Sequence, residues 1–466
     1  MKGLQTFLQM CRSAIWGDQV TEYIHLLFEL GAFIDENSGF YRDGNDQSMA
    51  DFRFYRVNPG DRLINNDPKY EYNLKGYSEE VEESWIYTYS YQGEENWASY
   101  QKKFCEDKWH EAEYIIARSG WIRITVRRSD RSELKEEDRI AAQEAISLIR
   151  QKEEYRRKDY YKKEIRKTVR TVMKKQKQGS LIFGLMTDSH YVVNSGWNDS
   201  VANLHAVNDK VKFNAMIHLG DLTDGMIPLK VTKEYVDNIM KDLKGLGVPV
   251  YLTLGNHDSN YFRNNPERMT EKEQSEYYLN KEQPWYYVDF SEWKLRCLFL
   301  HSFDPNQMIR YGFPQEEVGW VKDILLNTPN DFSVLVFSHV PLLPEMHFWS
   351  DKIRNSDEML DVLEQYVEKG GVILAYVHGH NHADQIVYTG KFPIIAIGCA
   401  KCEDFKDKKP EGSITYDRKM GTVSQELWDV MVVDTKSKKI DFVRFGAGED
   451  RTIEKKWGDQ QFDQTG

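Results

Sequence analysis

The apolar and polar positions divide the chain into an early part with short alternating segments and a later part with longer apolar runs. Segments 52–57 (FRFYRV), 84–91 (SWIYTYSY) and 120–127 (GWIRITVR) alternate in polarity and are rich in aromatic and β-branched residues, which is typical of strands. Clusters of Gly, Asn, Asp and Pro separate such segments and favour turns. The pattern predicts a small all-β domain of the sandwich or jelly-roll type over residues 35–130.

Apolar residues recur at helical spacing on either side of this β region. Residues 1–34 have this spacing, including the run 23–30, and we predict an N-terminal helical segment there. Ser132 is a candidate N-cap for a second, longer helical stretch. Residues 131–179 are therefore predicted to be a helical connector.

From residue 180 to about residue 450, continuous apolar runs alternate with helical stretches. This alternation is the signature of an α/β domain whose strands are covered on both faces. The runs are LIFGLMTD (181–188), AMIHLGD (215–221), VPVYLTLGN (248–256), LRCLFLHS (295–302), SVLVFSH (333–339) and GVILAYVHGH (371–380). The last residues, 451–466, are predicted to be a C-terminal tail.

Composition and charge narrow the classes of partner. With 466 residues, 40% of them hydrophobic, the chain is long enough for two packed domains. The formal net charge is −12, and an acidic protein gains little from the counterion release that drives bulk nucleic-acid binding. The connector is the exception, because residues 151–177 contain twelve Lys or Arg and four acidic residues. A solvated helix and a patch for an anionic polymer or membrane surface both fit this charge.

The cysteines and the N-terminus bear on the compartment. The five cysteines are scattered and are expected to be free thiols of a reducing compartment. No run approaches the ~20 apolar residues that span a bilayer, and the opening residues MKGLQTFLQMCRS lack the apolar core of a signal peptide. A cytoplasmic location is the default expectation, and an extracellular or phage-particle location stays open.

Five of the six apolar runs are followed by side chains that bind metal ions in proteins. Because the carboxyl ends of strands in an open α/β sheet meet at one edge, we expect these side chains to converge. A mixture of Asp, Asn and His suits two divalent cations that share a bridging carboxylate. These ligand types do not distinguish Mn, Fe, Zn and Ni. The clusters are 187–190 (TDSH), 220–224 (GDLTD), 255–258 (GNHD), 338–339 (SH) and 378–382 (HGHNH).

The series D-x-H, G-D, G-N-H-D, S-H and G-H-N-H resembles that of the calcineurin-like metallophosphoesterase superfamily over about residues 180–400. The resemblance implies a four-layer α/β/β/α sandwich with a two-metal site at one edge of its central sheets. It assigns Asp188, His190 and His382 to the first metal. It assigns Asn256, His339 and His380 to the second metal, with Asp221 as the bridge.

The resemblance also implies a metal-dependent hydrolysis of phosphoric esters. A hydroxide held between the two cations attacks phosphorus, and His257, as an imidazolium oriented by Asp258, assists the leaving group. Protein phosphatases of the superfamily have arginines where this chain has Leu222 and Leu254 with their neighbours, which favours phosphodiesters over monoesters. Asp224 stands where purple acid phosphatases have a metal-binding tyrosine, so that a colourless protein is expected.

Aromatic residues in the loops after the motifs are candidates for substrate contacts. They are Trp197, Tyr261, His347 and Trp349. For the loop that carries His347 and Trp349, a lid packed against its own domain is the alternative.

The substrate itself stays open between a nucleotide-like diester and a cell-surface glycopolymer. The glycopolymer is suggested by a faint resemblance of the first 130 residues to β-sandwich segments of bacterial surface and phage-tail proteins. A non-catalytic glycopolymer-binding protein that uses the phosphoesterase fold as a scaffold is the alternative function.

Overall fold

A computed structural model describes most of the chain. The chain divides into two compact units, residues 1–156 and residues 157–466. Within the described ranges, no helix is long and apolar enough to cross a membrane. These ranges are 21–33, 41–42, 46–78, 108–151, 157–191, 196–225, 229–262, 265–402, 409–455 and 462–465.

The first unit is built mainly of antiparallel strands, which confirms the predicted all-β region. The strands and the helix described here are β1 (Thr21–His25), β2 (Glu29–Leu30), β3 (Ala32–Phe33), β4 (Tyr41–Arg42), β5 (Met49–Val57), β6 (Arg62–Asn65), β7 (Tyr70–Ser78), β8 (Trp109–His110), β9 (Tyr114–Ile115), β10 (Gly120–Arg128), α1 (Glu136–Ala145) and β11 (Ile146–Gln151). One sheet has the order β1-β11-β6-β9, another has the order β2-β5-β10-β7-β8, and β3 pairs with β4.

Alternation along the strands explains why the first unit has its own core. Ile122, Ile124 and Val126 occupy every second position of β10 and are fully buried. They share one apolar cluster with residues of both larger sheets and of α1, so that the sheets bury a common set of side chains. The predicted strands 52–57 and 120–127 lie within β5 and β10, whereas the predicted strand 84–91 lies outside the described residues.

Two helix predictions in this part of the chain are wrong. Residues 21–25 and 29–30 of the predicted N-terminal helical segment are strands, paired with β11 and β5 respectively; residues 1–20 lie outside the described part. The predicted connector 131–179 is not one helix, because β11 interrupts it. The first helix within it begins at Glu136 after the N-cap Lys135, not after Ser132. In each case the partner strands are distant in sequence, and local periodicity does not register them.

The second unit alternates helices with the strands of two mixed sheets. Its helices are α2 (Tyr161–Lys175), α3 (Trp197–Val211), α4 (Leu229–Gly245), α5 (Glu271–Gln274), α6 (Gln315–Leu326) and α7 (Ser356–Glu368), with single turns of other helix types at His257–Ser259, Ser275–Leu279, Ser291–Trp293, Pro344–Met346 and Val423–Gln425. Its strands are β12 (Leu181–Met186), β13 (Ala215–His218), β14 (Val250–Leu252), β15 (Tyr286–Phe290), β16 (Leu295–Phe299), β17 (Ser333–Ser338), β18 (Val372–His378), β19 (Gln385–Tyr388), β20 (Pro393–Ala396), β21 (Leu427–Asp434), β22 (Lys439–Gly446), β23 (Arg451–Lys455) and β24 (Phe462–Thr465).

The two sheets form the centre of a four-layer α/β/β/α arrangement. The seven-stranded sheet has the order β14-β13-β12-β21-β22-β23-β24 and the six-stranded sheet the order β15-β16-β17-β18-β20-β19. Phe183 and Leu185 of β12 point into a core between the sheets. Ile182 and Met186 of the same strand point into a second core with α2, α3 and α4. A third core joins the other sheet to α6 and α7, which explains why the runs are apolar at every position.

The last residues of the chain belong to the second unit. The residues predicted as a tail include β23 and β24, which extend the seven-stranded sheet, and Ile453 is buried in the core between the sheets. The predicted tail is therefore wrong for residues 451–455 and 462–465. Cys297, Cys399 and Cys402 are buried free thiols, as predicted; the other two cysteines lie outside the described residues.

Candidate metal centre

The metal-binding clusters all follow the carboxyl ends of parallel strands. β12, β13 and β14 are parallel neighbours in one sheet, and β17 and β18 are parallel neighbours in the other. Each of these five strands leads directly into one of the predicted clusters. The loops therefore meet where the edges of the two sheets lie together, as expected for a ligand site in an α/β fold.

The backbone at this place has an unusual conformation. Five non-glycine residues of the clusters have φ between 42° and 67°, a left-handed region that costs an L-residue about 1–2 kcal/mol. Such conformations persist where the surrounding structure holds them, and they concentrate at functional sites. The five residues are Asp188, His190, Asp221, His380 and His382.

The residues assigned to the first metal lie together around one point. The Nε2 atom of His382 is 3.1 Å from Oδ1 of Asp188 and 3.3 Å from Nε2 of His190. Ligand atoms about 2.1 Å from one ion are separated from each other by about 3.0–3.4 Å. The other oxygen of Asp188 accepts hydrogen bonds from the hydroxyl of Thr187, at 2.6 Å, and from the backbone N–H of His380, at 3.0 Å. This carboxylate is thus held by one oxygen and presents the other.

The residues assigned to the second metal converge in the same way. Nε2 of His339 lies 3.2 Å from Oδ1 of Asn256, 3.2 Å from Nδ1 of His380 and 3.2 Å from Oδ2 of Asp221. The same oxygen of Asp221 is 3.8 Å from Nε2 of His190 in the first group. Asp221 therefore lies between the two groups, at the position predicted for a bridging ligand.

The hydrogen bond of His339 on the side away from the site indicates which of its ring nitrogens presents a lone pair to the site. Nδ1 of His339 lies 2.7 Å from the carbonyl oxygen of Leu219, and a carbonyl only accepts, so that this nitrogen carries the proton. In the neutral ring Nε2 is then a bare acceptor, and it faces further acceptors on Asn256 and Asp221. Acceptors that converge without a donor between them attract a cation, and these residues fit a divalent metal.

Protons compete for the same place when no cation is bound. Burial lowers the pKa of His339, but the carboxylates of Asp221 and Asp188 outweigh burial and raise it to about 9. Burial raises the pKa of Asp221, but His339 and His257 outweigh burial and lower it to about 2. The pocket thus attracts positive charge strongly enough to hold a proton on a buried imidazole.

His257 lies at the site, but its environment differs from the expectation. Its Nδ1 atom donates to the carbonyl oxygen of Asp224 at 2.6 Å, and its Nε2 atom is 3.9 Å from Oδ2 of Asp221. Burial lowers the pKa of His257 to about 4, which favours a neutral ring in the protein without substrate, whereas the prediction concerned an imidazolium. Its outward nitrogen nevertheless faces the space between the two groups.

The predicted orienting role of Asp258 is wrong. Its carboxylate accepts hydrogen bonds from the backbone N–H groups of Gly255, Asp221 and Leu222 at 2.8–2.9 Å, whereas the ring of His257 is oriented by the Asp224 carbonyl. Burial, followed by the charge of Asp221, raises the pKa of Asp258 to about 7. Asp258 therefore ties the G-D and G-N-H loops together.

Two charged residues beside the first group were not assigned to it from the sequence. Oδ1 of Asp224 is 3.1 Å from Nδ1 of His190, and Nζ of Lys401 is 3.5 Å from the same oxygen. Both side chains are buried. The carboxylate is placed as the outer partner of a metal-binding imidazole. Lys401 follows β20, a strand outside the six apolar runs, so that only its place in the fold reveals it.

The candidate substrate residues separate into two groups. Trp197 does not line the site: it is buried in the core with α3 and α4, and its Nε1–H donates to Asp242 at 2.8 Å. The prediction for Trp197 is therefore wrong, because a large apolar ring at the start of a helix is more stable in the core. Tyr261 does lie at the site, where its ring centroid is 6.5 Å from that of His257.

The loop after His339 folds against the site. Nε1 of Trp349 is 3.4 Å from the carbonyl oxygen of His380, and Trp349 is partly exposed. His347 is buried, and its Nε2 atom is 3.1 Å from Nε2 of His380. Burial lowers the pKa of His347 to about 4. The packed lid describes His347 better than a substrate contact does, because the ring is enclosed by its own domain.

Comparison with known proteins agrees with this geometry. Residues 182–384 match the family model of the calcineurin-like phosphoesterases. The resemblance in the motifs is thereby confirmed for this segment, which contains all seven predicted metal ligands. The family implies a hydrolase with a dinuclear centre of divalent metal ions.

Individual relatives are distant. A manganese-dependent ADP-ribose/CDP-alcohol diphosphatase of Mus musculus is 23% identical, with 43% of this chain and 77% of the mouse protein covered. A dimetal phosphatase from Danio rerio is 15% identical with a TM-score of 0.45, and the match covers 59% of this chain and 98% of that one. A purple acid phosphatase from yellow lupin, Lupinus luteus, is 10% identical with a TM-score of 0.42 over 94% of this chain and 76% of that one.

Proposed function

We propose that the second unit is a two-metal hydrolase that cleaves phosphodiester or diphosphate bonds. The observation that carries the proposal is the convergence of acceptor atoms into two groups that share Oδ2 of Asp221. When bound, two divalent cations supply Lewis-acid charge and lower the pKa of water so that a nucleophile is available near neutral pH. Asp188 and Asp221 each present one oxygen, and their other oxygens are held by N–H or O–H donors.

His257 has the position for proton transfer at the leaving group. Its Nδ1 atom is fixed on the Asp224 carbonyl, so that Nε2 faces the space next to Asp221. Because the ring is neutral before substrate binds, Nε2 first takes a proton from solvent water and then gives it to the departing oxygen. A phosphate anion beside the ring favours that protonated form.

The preference for diesters or diphosphates rests on the residues where protein phosphatases have arginines. Leu222, Thr223, Thr253 and Leu254 are buried and uncharged, so that no cation from these positions grips a dianionic monoester. A nearby cation, Lys401, is paired with Asp224. The diphosphatase activity of the mouse relative agrees with a substrate whose phosphorus carries two ester or anhydride links.

Hydrolysis of model substrates tests this function. With Mn²⁺-loaded protein, we expect a higher rate for bis(p-nitrophenyl) phosphate and ADP-ribose than for p-nitrophenyl phosphate. Poly(glycerol phosphate) is the fourth compound, because the N-terminal resemblance predicts a phosphodiester-linked glycopolymer. Asp221→Asn is expected to lower each rate at least ~100-fold, since ligand loss exceeds the 10–100-fold effect of losing an outer partner.

A matched variant controls for nonspecific effects of the amide. Asp331→Asn changes the same group on the exposed surface, where Asp331 pairs with Lys294, and the rates should stay at the wild-type level. Protein that binds two Mn²⁺ ions but hydrolyses none of the four compounds would overturn the proposal in favour of a non-catalytic binding protein. A preference for the monoester would overturn the substrate class alone.

A further inference from the structure

The buried ring of His347 connects a backbone carbonyl to one of the predicted metal ligands. Its Nδ1 atom is 2.9 Å from the carbonyl oxygen of Ser350, and its Nε2 atom is 3.1 Å from Nε2 of His380. On the far side of His380, Nδ1 is 3.2 Å from Nε2 of His339. The three rings therefore form a chain of contacts from the backbone to the second group.

The carbonyl fixes the position of every proton in this chain. Because a carbonyl only accepts, Nδ1 of His347 carries the proton. A neutral imidazole carries a proton on only one of its two nitrogens. Nε2 of His347 is then an acceptor, so that Nε2 of His380 donates. This leaves Nδ1 of His380 as a lone pair directed at the second group.

We propose that His347 is a positioning residue that holds His380 in the tautomer required for metal binding through Nδ1. The proposal rests on the two-metal centre proposed above and adds a residue on which the affinity for one of the two ions depends. An imidazole in solution exchanges between two tautomers, and an outer hydrogen bond selects one of them. In this protein the outer partner is a second histidine rather than the usual carboxylate or carbonyl.

Packing holds the two rings in register. The rings of His347 and His380 meet through their edges, with centroids 5.0 Å apart and planes inclined by 27°, and the ring of Tyr311 is 4.6 Å from one and 5.1 Å from the other. The Nδ2 amide of Asn381 donates to the carbonyl oxygen of Met346 at 2.5 Å. The residues next to His347 and His380 are thus tied together as well, so that the contact between the rings does not depend on a free loop.

The first group has a different outer partner, which makes the proposal specific. Nδ1 of His190 faces the carboxylate of Asp224, and His347 has no described contact with that group. Losing the acceptor on His347 should therefore lower the affinity of the site for one metal ion and leave the affinity for the other unchanged. A general loss of structure would lower the affinity for both ions.

Calorimetric titration of the chelator-stripped full chain with Mn²⁺ tests this inference. His347→Phe keeps a ring of similar size against Tyr311 but removes the acceptor, and we expect the affinity of one of the two ions to fall ~10–100-fold. His347→Gln can donate to the Ser350 carbonyl and accept from His380, and it should restore an affinity close to that of the wild type. Melting temperatures establish that both variants are folded.

A spectroscopic measurement keeps the inference testable if His347→Phe is unstable. Nitrogen chemical shifts of the His380 ring in metal-free protein should report a protonated Nε2 in the wild type and in His347→Gln. Three results would overturn the role of His347. The first is that His347→Phe still binds both Mn²⁺ ions as tightly as the wild type, and the second is that His347→Phe and His347→Gln lose affinity equally. The third is that the His380 ring of the wild type is protonated on Nδ1. A wild-type protein that binds no Mn²⁺ would overturn the proposed function instead.

Discussion

Three histidine rings of the candidate metal centre are hydrogen-bonded through an N–H group to a backbone carbonyl. They are His257 to Asp224, His339 to Leu219 and His347 to Ser350, each through Nδ1. Backbone carbonyls do not titrate, so that these contacts set the direction in which each ring presents its lone pair. Backbone carbonyls therefore determine which nitrogen of each ring is available to a metal ion or a substrate.

Asp258 offers a test of structural against catalytic function at one residue. Its carboxylate accepts from three backbone N–H groups in two loops. In Asp258→Asn, one oxygen becomes an NH₂ group that cannot accept, and at least one buried N–H loses its partner. We expect the variant to unfold at a temperature several degrees lower, from a loss of about 1–3 kcal/mol.

The comparison separates the two roles of Asp258. Asp331→Asn, on the exposed surface, is the control and should keep the wild-type melting temperature. A wild-type melting temperature in Asp258→Asn together with a lower kcat would restore the catalytic role that the sequence predicted.

The site residues and their protonation differ in how far the sequence reveals them. Asp188, Asp221 and His339 were assigned by motif, and the structure brings them together, because each stands directly after a buried strand. The tautomers, the contact between His347 and His380 and the place of Lys401 come from pairs of residues that are far apart in sequence. No periodicity or spacing encodes such contacts.

The strand-end turns leave almost no free space around the ligands. A Cβ on Gly379 would lie 2.0 Å from Oγ1 of Thr187 and 2.6 Å from Oδ2 of Asp188. The hydrogen bond between these two atoms holds the Asp188 carboxylate in place. Glycine at this position lets the G-H-N-H turn of one sheet approach the first motif of the other.

Gly379→Ala should therefore disturb the metal centre through a single methyl group. We expect the affinity for at least one Mn²⁺ ion to fall by ~10-fold or more, because the Asp188 carboxylate must move. Gly319→Ala is the matched control, since nothing lies within 4 Å of its new Cβ. It lies within α6 and should add about 0.5–1 kcal/mol of stability from helix propensity. Calorimetry and melting curves measure both, and unchanged binding of two ions in Gly379→Ala would contradict this account.

The elements that the sequence predicts well and badly differ in where their stabilising contacts lie. The strands β12, β13, β16 and β17 of the second unit are buried at every position, so that each appears as a continuous apolar run. β11 is different: its six residues, I-S-L-I-R-Q, form neither a continuous apolar run nor a regular alternation, and they follow a helix directly. Its pairing with β1 and β6 is decided by residues more than eighty positions away, and helical periodicity therefore extends through it in the sequence.

One buried carboxyl group, that of Glu426, connects three elements of the second unit. Glu426 accepts from the hydroxyl of Ser200 on α3 at 2.8 Å and from Nε1–H of Trp428 on β21 at 3.0 Å. Its other oxygen is 3.2 Å from the hydroxyl of Tyr161 on α2. Three elements of the same unit thus meet at this side chain. Burial, which outweighs the bond from Ser200, raises the pKa of Glu426 from 4.5 to about 7.

The raised pKa makes the stability depend on pH in a defined direction. Between about pH 4.5 and pH 7 the folded protein keeps a proton on Glu426 that the unfolded chain has lost, so that stability falls as pH rises and is constant above pH 7. The full change in the free energy of unfolding is about 3 kcal/mol.

Glu426→Gln keeps the shape of the side chain and has no proton to lose. At pH 8 the variant should therefore melt at a higher temperature than the wild type, and the two melting temperatures should converge at pH 5. Glu316→Gln, on an exposed turn of α6, controls for the change of net charge and should follow the wild-type curve. If the gap between Glu426→Gln and the wild type were the same at pH 5 and pH 8, Glu426 would be ionised throughout, and its three hydrogen bonds would outweigh its burial.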